Sequence, residues 1–117
     1  MSKTCLLLIT STPNTSACES HQRKVEDWLK GRKCVFKTLD GCVDDNKDMR
    51  NNLWAVSGVR ADYPQLFLVG EDSTEFVGNY ETVEGMVECN DLSAEIMAAN
   101  PDIKTFDKAL KDVQRTS

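Results

Sequence analysis

No apolar run in this 117-residue sequence exceeds five residues, the length of Cys5-Leu-Leu-Leu-Ile9. A membrane-spanning helix needs about 20, so none is expected. The same run follows directly on Met1-Ser2-Lys3-Thr4 and has no small-residue cleavage site. It reads as a core strand and not as a signal peptide. Histidine occurs once, at His21, and proline three times. The single histidine leaves Cys18-x-x-His21 as half a zinc site without a second half, so no metal is expected. An excess of basic residues is also missing: 14 Lys and Arg stand against 19 Asp and Glu, a net charge of −5. Nucleic acid and anionic membrane surfaces are poor partners for such a chain. Internal repeats and low-complexity tracts are absent, and so is any Cys-x-x-Cys motif, despite five cysteines.

What is present supports a packed core. Hydrophobic residues make up 40% and charged residues 28%, the balance of a single globular unit. Five cysteines, an odd number without a secretion signal, fit reduced thiols in a monomeric cytoplasmic protein. Cys5 and Cys34 begin neighbouring strands, where small buried residues belong.

The chain punctuates clearly. Residues 5–9 form a strand covered on both faces, followed by a Ser/Thr-rich loop, Thr10 to Ser16. Ser16-Ala17-Cys18-Glu19 matches a helix-start capping box. Downstream, Cys18, His21, Val25, Trp28 and Leu29 share one helix face, and Gly31 ends the helix. Cys34 to Leu39 is a second strand. Asp44 or Asp45 caps a second helix with Met49, Leu53 and Val56 inward, stopped at Gly58. The acidic run from Asp44 to Asp48 lacks the glycine and terminal glutamate of a calcium loop. Gln65 to Val69 and Thr74 to Val77 make a hairpin. Gly78-Asn79 introduces a third helix, with Tyr80, Val83, Met86 and Val87 inward. Asn100-Pro101 starts a last helix running to Val113, with Ile103, Phe106 and Leu110 on its apolar face.

A βαβ unit followed by ββα resembles the thioredoxin and glutaredoxin arrangement. Tyr63-Pro64-Gln65-Leu66-Phe67 is similar to the glutaredoxin segment in which a cis-proline opens the third strand, and an aromatic before proline favours cis. With Val25-Glu-Asp-Trp28-Leu29, Phe36 to Asp40, Met49-Arg50 and Phe76-Val-Gly-Asn-Tyr80, the chain resembles the Src-homology-3-binding glutamic-acid-rich-like family over roughly residues 3 to 92. The resemblance implies an α/β, thioredoxin-like fold with a four-stranded mixed sheet. Residues 1–90 would form that domain and residues 91–117 a helical extension packed on it. Counting back from the Val25/Trp28/Leu29 stripe, the glutaredoxin nucleophile position falls at Glu19 and the resolving position at Gln22, neither a thiol.

Two functions follow from these residues. The first is a non-catalytic adaptor that binds a protein partner in the groove of Tyr63, Pro64, Gly78 and Asn79, without a cofactor. The second is a single-thiol oxidoreductase using Cys18 and glutathione, with Asn79 and the adjacent amides taking the glutathione carboxylate. Cys18 lies on the apolar stripe, one residue from Glu19. A rotation of roughly 100° per residue is expected to turn its sulfur towards Val25 and Leu29, away from Pro64.

Overall fold

The structure is a computed structural model and describes residues 3–12, 16–60 and 62–115. Strand β1 (Thr4–Ile9) sits inside a four-stranded sheet of order β2-β1-β3-β4. Strand β2 (Phe36–Asp40) runs parallel to it on one side. Strand β3 (Gln65–Val69) runs antiparallel on the other, and β4 (Thr74–Asn79) completes the antiparallel hairpin. The fold is thus α/β with a mixed sheet.

The alternation of side chains along a strand explains why β1 is apolar throughout. Cys5 and Leu7 join a cluster with Val25 and Leu29 of α1 (Ser16–Gly31) and Val83 and Met86 of α3 (Tyr80–Cys89). Leu6 and Leu8 face the opposite way, towards Leu53 and Trp54 of α2 (Lys47–Ser57). The central strand therefore carries a core on each face. Gly78-Asn79 introduces α3 as expected, and Asn79 caps it, its Oδ1 accepting from Thr82 N at 3.1 Å.

Several elements differ from expectation. Helix α1 begins at Ser16 itself, and Glu19 pairs with Arg23 at 3.3 Å. Residues 13–15 of the preceding loop lie outside the described residues. Asp44 and Asp45 form a 3₁₀ turn (Asp44–Asn46), and Asn46 precedes α2 without a side-chain cap. The inner face of α2 is Leu53 and Trp54, whereas Met49 and Val56 are 53% and 46% exposed. Trp54 has more apolar area to bury than either, and the helix rotates to bury it. Regular pairing of β2 starts at Phe36, because Cys34 bridges Arg115.

The expected helix from Pro101 to Val113 is broken. Helix α4 (Ala94–Ala99) precedes a turn at Pro101 and Asp102, and only α5 (Phe106–Ala109) is helical beyond it. Thr105 caps that turn, its Oγ1 accepting from Lys108 N at 3.1 Å. Val113 then pairs with Lys3 in a parallel bridge. Lys3 N donates to Asp112 O at 2.7 Å, and Gln114 N donates to Lys3 O at 2.8 Å. A continuous helix could not supply these extended-strand bonds, so it ends after one turn. The apolar face is still used: Phe106 and Leu110 are fully buried and Val113 nearly so. Phe106→Ala is expected to cost about 3–5 kcal/mol of stability, as a large core truncation does. A urea titration checks it; an unchanged midpoint would mean that this segment does not pack on the sheet.

Candidate functional site

Strands β1 and β2 are parallel, so their carboxyl ends lie side by side, the usual place for a crevice in an α/β sheet. A cavity of about 500 Å³ opens there. Thr10 and Thr12 line it from the end of β1, Cys42 from the end of β2, and Cys18 and His21 from α1. Asp62 and Tyr63 enter from the loop before β3, and Asn79, Tyr80 and Glu81 from the start of α3.

Buried polar contacts fix this arrangement. Gln22 sits beneath the cavity, its Oε1 accepting from Thr10 N at 2.7 Å and its Nε2 donating to Thr10 O at 3.1 Å. Gln65, also fully buried, donates from Nε2 to Val59 O at 2.9 Å and Asp62 O at 2.8 Å. These bonds anchor the loop that presents Asp62 and Tyr63. The Tyr63–Pro64 peptide is cis, as expected. Pro64 and Gly78 are buried behind the cavity, whereas Tyr63 and Asn79 line it. Gly78 acts through close packing: a Cβ there would meet Thr82 Cβ and Cγ2 at 2.6 Å. His21 lies flat on Tyr80, ring centroids 3.6 Å apart.

Cys18 points the other way from the expectation. Its sulfur donates towards Tyr63 O at 3.7 Å and Gln22 Oε1 at 4.0 Å, and it faces the cavity beside Pro64. Cys18, Gln22, Val25 and Leu29 do form one stripe, but its first turn runs past the core and over the crevice. Glu19, taken as the nucleophile position, is exposed and paired with Arg23. Gln22, taken as the resolving position, is the structural clamp on Thr10. Burial raises the Cys18 pKa above that of an ordinary thiol, and the Asp62 carboxylate raises it further. Both effects act against the helix-start charge that would favour a thiolate.

Sequence reasoning missed Cys42 as a site residue. Its sulfur is exposed and lies 2.7 Å from Thr10 Oγ1 and 2.9 Å from Thr12 Oγ1. Thr10 Oγ1 also accepts from Thr12 N at 3.2 Å. The Thr10 hydroxyl, then that of Thr12, lowers the Cys42 pKa. Nearby, burial works against ionisation of Asp40, but amide donation from Cys42 and bonding from Ser11 prevail and hold its pKa below the usual carboxylate range. The legible signal was position: Cys42 follows the carboxyl end of a strand parallel to β1. Cys5 and Cys34 are buried core residues as expected, and burial with the neighbouring Cys34 pushes Cys5 up to about 12.

These environments rank the thiols. Iodoacetamide at pH 7 is expected to label Cys42 first, Cys18 more slowly, and Cys5 and Cys34 only on unfolding, read by peptide mass spectrometry. A lowered pKa populates the thiolate at lower pH, so Thr12→Val, which removes one donor, should move the Cys42 alkylation curve to higher pH. Faster labelling of Cys18 than of Cys42 would contradict the ranking. No family model matches the sequence, and no curated protein matches it.

Proposed function

We propose that the chain is a thioredoxin-like module of the glutaredoxin arrangement, akin to the Src-homology-3-binding glutamic-acid-rich-like family. In this reading it works as a non-catalytic adaptor that holds an extended segment of a protein partner in the cavity. The observation that carries the reading is the state of Cys18. Disulfide exchange begins with an attacking thiolate. Cys18 faces the cavity, but burial and Asp62 raise its pKa, and no lysine or arginine is among the described residues that line the cavity. The groove is kept while the α1 thiol is not activated; the thiol with a lowered pKa in the cavity is Cys42, beyond the end of β2. Tyr63 O faces the same space and retains a second lone pair for a partner's main-chain N–H.

One observation favours the second reading, a single-thiol oxidoreductase using Cys18 and glutathione. The Cys18 sulfur lies 3.7 Å from Tyr63 O, within reach of a disulfide laid along that carbonyl. A glutathione-dependent assay on a small mixed disulfide separates the two. The adaptor should give no turnover above the buffer blank, and Cys18→Ser should match the wild type. Turnover that disappears in Cys18→Ser would replace the adaptor with the enzyme.

A further inference from the structure

We propose that the segment taken by this cavity is basic: an extended stretch of a protein partner whose arginine or lysine side chain lies between Asp62 and Glu81. This rests on the reading of the cavity as a peptide groove and adds the chemistry of its occupant.

The cavity carries two carboxylates, Asp62 and Glu81, and no lysine or arginine among its described lining residues. Among the described residues, Asp62 Oδ2 accepts from the neutral Asn79 Nδ2 at 3.3 Å and forms no ion pair. Among the described residues the ion pairs are Lys3–Glu75, Arg23–Glu19 and Arg32–Asp107, none of them at the cavity. Two arginines near the site are engaged elsewhere. Arg50 and Arg60 lie over the Trp54 ring at 4.5 and 5.6 Å, and Arg50 Nη1 also donates to Gly41 O at 3.1 Å. The described lining thus sets two carboxylates against one imidazole, His21, and neither carboxylate is ion-paired with a lysine or arginine among the described residues.

Charges of one sign in a cleft with low-dielectric walls focus potential more than they do on a flat surface. The net charge of −5 has the same sign. An acidic peptide, or a small anion such as glutathione with two carboxylates, meets repulsion here. A guanidinium or ammonium group gains charge-assisted hydrogen bonds from half-buried Asp62, where water screens less than at an open surface. Tyr63 O supplies the main-chain acceptor beside them, so one extended segment can use both. Charge complementarity thus names the occupant.

The test is selection of phage-displayed random heptapeptides on the immobilised full chain, followed by binding of single clones to the wild type and to the D62N/E81Q double variant. Circular dichroism verifies that the variant is folded. Lysine and arginine should be enriched at least threefold over the unselected library, and the variant should retain at least fivefold less of each clone. Binding should also weaken as salt rises. Clones without basic enrichment, or bound equally by D62N/E81Q, would overturn the basic occupant and leave the groove reading standing. Clones that do not compete with one another and survive a bulky substitution at the cavity rim, Thr12→Trp, would place binding elsewhere and overturn both. Failure to select any clone would do the same.

Discussion

The side-chain amide of Gln22, bound at both ends to the main chain of Thr10, is the contact on which the functional end of the molecule depends. At Thr10 the first strand has left the sheet, and its buried N–H and C=O have no neighbouring strand to meet them. The amide replaces that strand. Were it removed, both groups would be left unsatisfied, at about 1–3 kcal/mol each. The same bond pair locks α1 to the end of β1. It thereby sets the Cys18 sulfur, one turn earlier, over the crevice, and turns the Thr10 hydroxyl towards Cys42.

A second coupling runs through the loop before β3. Tyr63 lines the cavity, yet its ring also packs edge-on to Trp54 at 6.4 Å, in the cluster beneath α2. Its hydroxyl lies close against Gly41, where an added Cβ would meet it at 2.8 Å. One residue thus joins the crevice to the core on the far face of the sheet. Burial raises its pKa above that of an ordinary tyrosine, even though the Arg50 guanidinium draws it down. On the opposite face Tyr80 does the same for α3, its hydroxyl donating to Glu84 at 2.6 Å while its ring carries His21.

The sheet was legible because its signals are local. An uninterrupted apolar β1, the hairpin of Gln65 to Val77 and the helix start at Gly78-Asn79 each follow from a few consecutive residues. The site was legible only in part. Tyr63 and Asn79 were found through their elements, whereas Cys42 sits in a loop placed by contact with Thr10, 32 residues away, and Asp62 in a loop held by the Gln65 side chain, for which no local motif exists. Cys18 was found but aimed wrongly, since a helical stripe gives the face and not the point at which that face leaves the core. Met49 and Val56 misled for a related reason. Hydrophobic identity was counted equally, while Trp54 and its two arginines decided the rotation of α2. The last helix failed because its competitor, extended pairing with Lys3, lies at the other end of the sequence.

That pairing has a kinetic side. Val113 meets Lys3 across roughly 110 residues of chain, and Phe106 and Leu110 complete the cluster that includes Cys5 and Leu7. Contacts so far apart in sequence must meet the entropy of closing a very long loop before they contribute anything. During synthesis, everything up to α3 will have emerged while one face of the central strand still lacks Phe106 and Leu110. The nascent chain thus carries an open apolar surface until its last turn of helix arrives, an interval in which a growing polypeptide is most exposed to capture by chaperones or by its neighbours.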